Sequence, residues 1–242
     1  MSLFRPAKPT LTAGDRLEIA GHPVVLKVNA RARRVSLRVD RVGGHVVATA
    51  PRLSRLPEAV AFARERADWI AAQMGALPAA QPLAPGDALC LFGQPIVLAQ
   101  APGRARLDPL GRLVAPGEGE AWRAAVVRTL KRAALAGFTE RTEAVRQRLG
   151  QPPLKVAVAD PRARWGSCRQ AVRGAPAQIR YNWRVALAPP EVVDYLVAHE
   201  CAHLIEANHG PRFWAIVDEL VGDHRRQRAW LKREGAGLHA IG

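Results

Sequence analysis

The chain has 242 residues, 48% hydrophobic and 24% charged, a globular balance that excludes a disordered, collagen-like or disulfide-scaffold protein. Its 36 basic and 21 acidic residues leave a formal charge of +15, which suits a nucleic-acid or acidic-substrate partner; arginine-rich, alanine-rich coding in a GC-rich genome accounts for the same number. Cys90, Cys168 and Cys201 are odd in number and widely spaced, so they make no disulfide framework or CxxC site and fit a reducing compartment.

The N-terminus meets Pro6, Lys8 and Pro9 before any apolar run, so no secretory signal is readable, and no segment approaches a membrane span. The expected location is the cytoplasm. Leu17–Leu26 and Leu89–Leu98 share a pattern of strand, Gly-x-Pro turn and strand. That pattern fits a duplicated unit or two hairpins with the same turn chemistry; the second is preferred, because repeats usually need more copies to stand out. Between them, Arg33 to Ala50 alternates around Gly43-Gly44 as a hairpin ending at Pro51. A helix follows, with Pro57 at its first position and Val60, Ala63, Ala67 and Ile70 at helical spacing. Ala76 to Pro85, rich in alanine and proline, reads as an internal joint.

From Glu118 a long helix runs to about Gly150, carrying Trp122, Val126, Leu130, Ala133 and Gly137 on one face. Leu154–Ala159 reads as a buried strand, and Gln178–Arg184 as an alternating one with Ile179, Tyr181 and Trp183 inward. Pro189-Pro190 opens a helix with the apolar stripe Val193, Leu196, Val197, Cys201 and Leu204. The expected fold class is α+β, with a β-rich region at 1–115 bearing one helix and a compact metallohydrolase domain at 116–242.

The last helix contains His199-Glu200-Cys201-Ala202-His203, an HExxH pentad. Residues four apart share a helix face, so both imidazoles can meet one cation, with Glu200 beside them as general base toward a metal-activated water. With 7 histidines in the chain, chance yields about 0.01 such pentads, so the motif is taken as functional. Catalytic zinc takes three protein ligands and leaves one position open. His209 is the first choice for the third, since Asn208, Gly210 and Pro211 break the helix and can swing it back; Glu206, Asp218, Glu219 and His224 compete. Cys201 lies in the apolar stripe and reads as a small buried hydrophobe.

Arg164-Trp165-Gly166-Ser167-Cys168, Tyr181-Asn182-Trp183-Arg184, Ala188–Glu191, the HExxH pentad and Asn208–Trp214 together resemble the YgjP-like metal-dependent hydrolases, relatives of the SprT-like, WLM and other minimal zincin peptidases. Arg33–Val39 and Ala50-Pro51-Arg52 resemble that family's N-terminal strands, and Cys201 stands where the family usually has leucine. The resemblance implies a zincin-like, minimal gluzincin-type fold, ligation by His199, His203 and His209, and Glu200 as base. It also implies that Arg164, Trp165, Gly166, Ser167 and Cys168 face the cleft, where buried packing of Trp165 and Cys168 is the alternative. One divalent ion is expected, zinc before manganese, nickel or cobalt.

Two substrate classes fit this chemistry. A peptidase offers its substrate an edge strand, here the one near Trp165. A nucleotide pyrophosphohydrolase acting on uridine triphosphate is the other class that the resemblance implies. It would use the arginines between Pro161 and Pro190, a stretch without one acidic residue that includes Arg164 and Arg180, with Asn182 nearby. A third reading, a nucleic-acid-associated module using the basic N-terminal region, lacks a recognition helix, zinc-finger spacing or stacking aromatics.

Overall fold

The computed structural model describes residues 11–40, 43–77, 82–161 and 163–242. The N-terminal segment, the tip of the 33–50 hairpin, residues 78–81 of the expected joint and Arg162 lie outside the described residues. The chain divides into two compact units, Met1–Ala79 and Ala80–Gly242.

In the first unit, β1 (Arg16–Ile19) and β2 (His22–Val28) pair antiparallel. Their two-residue turn places Ala20 at φ 53° and Gly21 at φ 72°, the left-handed pair whose twist matches that of the flanking strands. β3 (Ser36–Asp40) and β4 (His45–Ala50) form the expected hairpin, and β4 lies parallel to β2, giving the order β1-β2-β4-β3. The sequence suggests one helix next; there are two, α1 (Leu56–Glu65) and α2 (Ala67–Gly75), because Arg66 at φ −105° and ψ 23° breaks the helical path. Leu56, Ala59, Val60, Ala63 and Ile70 bury their stripe with Val24, Leu26, Val46 and Ala48 in one core.

The second unit begins with β5 (Ala88–Leu91), β6 (Gln94–Gln100), β7 (Arg106–Leu107) and β8 (Arg112–Ala115), in the order β5-β6-β8-β7. The likeness to the first sheet goes well beyond the turn. Phe92 and Gly93 repeat the left-handed pair at φ 51° and 85°. Leu26 pairs with Ala48 as Leu98 pairs with Leu113, and Asn29 N–H donates to Ala50 O as Ala101 N–H donates to Ala115 O. Shared turn chemistry does not require a shared crossover or parallel register, so the preferred reading of two unrelated hairpins gives way to a duplicated four-strand unit.

α3 (Gly119–Arg148) follows, burying Trp122, Val126, Leu130, Ala134 and Phe138. These side chains share a core with Leu91, Ile96, Leu98 and Leu113, which is why residues 82–115 belong with the second unit. The domain boundary expected at 115/116 is therefore corrected to 79/80, inside the alanine- and proline-rich joint.

A three-stranded sheet comes next: β9 (Lys155–Ala159), β10 (Gly166–Arg169) and β11 (Gln178–Asn182), in the order β10-β11-β9. Three helices complete the unit, α4 (Pro190–Ala202), α5 (Pro211–Val221) and α6 (Arg225–Ala240). β11 ends two residues earlier than its alternation suggests. Asn182 is fully buried; its Oδ1 accepts from Arg184 N–H and its amide donates to Pro161 O, which turns the chain into a 3₁₀ segment at Trp183–Leu187. No helix of the described residues is long and apolar enough to cross a membrane.

The buried Arg184 guanidinium binds Asp160 and donates to the carbonyls of Ile241 and Gly242. Burial works against the Asp160 carboxylate, but Arg184, the Trp183 indole and Lys131 outweigh it and hold its pKa below the ordinary value. Asp160→Asn is expected to cost about 1 to 2 kcal/mol at neutral pH, allowing for the solvent at the carboxylate. A depressed folded-state pKa contributes stability that is complete above the unfolded value and lost as pH falls through the folded one. Urea midpoints of the two proteins should therefore converge below a pH of about 4.

Candidate functional site

α4 runs through the HExxH pentad, so His199 and His203 stand one turn apart, while Glu200 faces inward and is only 4% exposed. Past the end of α4, Pro211 starts α5 with Gly210 in extended conformation, and the intervening turn brings His209 back. His209 Nε2 lies 3.2 Å from His199 Nε2, and one ligand nitrogen from each of His199, His203 and His209 lies within 4.8 Å of the others. Two nitrogens about 2.1 Å from one tetrahedral ion are about 3.4 Å apart, so the spacing suits a shared cation.

The surroundings orient this triad. His203 Nδ1 lies 3.1 Å from Glu206 O, an interaction in which Nδ1–H donates and Nε2 is left to ligate. The Trp214 indole donates to His209 O at 3.1 Å. The fully buried Phe213 ring lies 4.9, 4.6 and 4.7 Å from the rings of His199, His203 and His209. Of the competing ligands, Glu206 serves through its carbonyl, while Asp218 binds His224 Nδ1 at 2.7 Å, and His224 stacks on Trp214 at 4.6 Å. Among the described residues, only His199, His203 and His209 form a cluster able to hold a metal ion.

Electrostatics favour ligation. Burial, then His203 and His209, push the His199 pKa down to about 3, and burial lowers that of His203, so both rings are neutral and need lose no proton to bind a cation. Burial raises the Glu200 carboxyl to about 8, against the opposing pull of Arg164; a divalent cation held beside it would lower that value and keep the carboxylate available as an acceptor. Glu200 Oε2 and His199 Nδ1 are buried without a hydrogen-bond partner among the described residues. A buried carboxylate oxygen with no protein partner fits a site that binds an ion and its water, and the donor set of three imidazoles suits a divalent transition metal.

β10 passes next to Glu200. A Cβ added to Gly166 would sit 2.3 Å from Glu200 Oε1, so only glycine admits the carboxylate here. Gly166→Ala is expected to leave metal content unchanged and lower turnover about 100-fold, because displacing a reacting group by an ångström has that effect; metal analysis and steady-state rates check it.

A cleft of about 730 Å³ adjoins the histidine cluster. Arg164, Trp165 and Gly166 line it, together with Tyr195, His199 and Glu200. Trp165 also stacks on His239 at 4.3 Å and lies against Gly235, so it is both cleft wall and packing. Ser167 and Cys168 are half-buried in β10, and burial, with Glu200, raises the Cys168 thiol to about 11, so it stays protonated. Burial first, then Cys168 and Glu200, take Cys201 to about 12, in keeping with its place in the apolar stripe.

Two of the anticipated substrate residues are corrected. Arg180 is exposed on β11 between the buried Ile179 and Tyr181 and does not line the cleft. Asn182 is fully buried and satisfied by backbone groups, a structural role. Arg184, from the same arginine stretch, is committed to Asp160. Besides Arg164, three cations that were not anticipated reach the cleft: Arg225, Arg228 and Lys232 on α6. Their spacing of three and four residues was visible, but nothing local says that α6 packs on α4. Tyr195 was missed too, although it stands one turn before His199.

The family model described as YgjP-like, metallopeptidase domain, matches residues 33–234. A search of curated proteins returns no match. Among solved structures, the metallopeptidase zymogen abylysin of Pyrococcus abyssi is similar at 21% identity over 40% of this chain and 92% of that one, with a TM-score of 0.33. The matched segment covers most of the chain and includes all three clustered histidines and Glu200; the chain belongs to the YgjP-like metallopeptidase-domain family.

Proposed function

We propose that the chain is a zinc-dependent peptidase in which His199, His203 and His209 hold the metal and Glu200 is the general base. The observation that carries this reading is the placement of β10. In its sheet it pairs on one side only, with β11, and its first residue, Gly166, abuts the Glu200 carboxylate. An extended peptide can add to such an edge through main-chain hydrogen bonds, and its scissile bond is then delivered to the base. The zinc, when bound, would supply Lewis acidity and an acidified water to a site that leaves one position open. Glu200 Oε2, buried and unpartnered, would take the proton, hold it away from bulk water, and return it to the leaving amine.

A second reading, hydrolysis of a nucleoside triphosphate such as uridine triphosphate, is favoured by the cations of the cleft, Arg164, Arg225, Arg228 and Lys232. The two are separated by incubating the zinc-loaded protein with a peptide mixture and with nucleoside triphosphates, taking Glu200→Gln as blank. Peptide cleavage that disappears in the blank supports the first. Pyrophosphate or phosphate release that disappears in the blank, with peptides intact, overturns it in favour of the second.

A further inference from the structure

We propose that the cleft beside the metal triad is a subsite for acidic side chains, so that the enzyme selects peptide segments carrying aspartate or glutamate next to the scissile bond. This rests on the peptidase reading and names its substrate class. Four cations, Arg164, Arg225, Arg228 and Lys232, line the cleft. Against them the cleft wall offers one carboxyl, Glu200, which is turned inward against Gly166. Arg164, Arg228 and Lys232 form no ion pair among the described residues, and the contact of Arg225 with Asp223, at 3.9 Å between exposed groups, is weak. The Arg228 guanidinium carbon lies over the Trp214 ring, 5.1 Å from its centroid, a contact that restrains the side chain while its N–H groups can still fork onto a carboxylate.

The layout fits a strand better than a polyphosphate. Arg225, Arg228 and Lys232 form one stripe of α6 about 10 Å long, at 1.5 Å per residue. Side chains on one face of an extended peptide recur about every 6.6 Å, so the stripe spans two successive same-face positions of a peptide laid beside Gly166. Polyphosphates are instead commonly gathered by converging backbone N–H groups of a glycine-rich loop, and the residues lining this cleft present side-chain cations in a row. Trp165 and Tyr195 supply apolar walls for the aliphatic part of a glutamate or aspartate.

The test profiles cleavage sites of the zinc-loaded full-length chain on a peptide mixture, then compares matched peptides that differ only by Glu against Gln at the enriched position. The expected kcat/KM ratio is about tenfold or more in favour of Glu, shrinking as salt rises. In Arg228→Glu with Lys232→Glu, exposed positions where folding is not at stake, the preference should invert toward Lys or Arg. A labelled acidic peptide should bind Glu200→Gln tightly and its Arg228→Glu, Lys232→Glu derivative at least about tenfold more weakly. Cleavage without charge preference, or a preference unmoved by the reversals, overturns the subsite and leaves the peptidase reading standing. If no peptide is cut while triphosphates are hydrolysed through Glu200, both fall and the cations are phosphate anchors.

Discussion

Glu200→Gln is expected to bind metal as the wild type does and to turn over substrate about 10² to 10⁴ times more slowly, the range that general-base removal produces. The substitution keeps the shape of the side chain. Gly166 leaves just enough room for it, and the amide can lie where the carboxylate lay. What is lost is the acceptor: Oε2 is buried with no partner among the described residues, and an amide in its place takes no proton at neutral pH. Rates and metal content measured on the same preparation decide the point. Wild-type turnover in the variant would remove Glu200 from the mechanism; loss of metal would make its role structural.

His203→Ala is expected to weaken metal binding by more than about 100-fold and to abolish turnover, since even partners outside the ligand set are worth about 10- to 100-fold. His203 is oriented by Glu206 O and packs against Phe213, and among the described residues no fourth ligand joins the histidine cluster. His209→Ala should behave alike. Glu219→Ala, which removes a carboxylate of α5 outside the histidine cluster, should leave affinity unchanged. The reverse pattern, with affinity lost in Glu219→Ala and kept in His209→Ala, would replace the third ligand.

The clustering of the three histidines was legible because its determinants are local. Helical spacing alone aligns His199 with His203, and Gly210-Pro211 forces the turn that returns His209. The lining of the cleft was not, because it is made by tertiary packing. The arginine stretch before α4 drew attention by its composition, yet Arg184 is used up in an ion pair with Asp160 and Arg180 lies on an exposed strand face. The cations lining the cleft come mostly from α6, whose placement depends on contacts such as Gly235 against Trp165. The strands were readable from alternation, but the end of β11 was set by the Asn182 side chain, and the 79/80 boundary by α3 burying its stripe under β5 to β8. The duplication shows itself in register, through equivalent pairs such as Leu26 with Ala48 and Leu98 with Leu113.

Titration of metal into chelator-stripped protein, with peptide hydrolysis followed at each step, tests the central claim most directly. Hydrolysis should be absent at the start, rise in proportion to bound metal, and level off at about one ion per chain, the stoichiometry of a single three-ligand site. Hydrolysis that survives stripping, or that His199→Ala leaves intact, would contradict a metal centre built on these histidines.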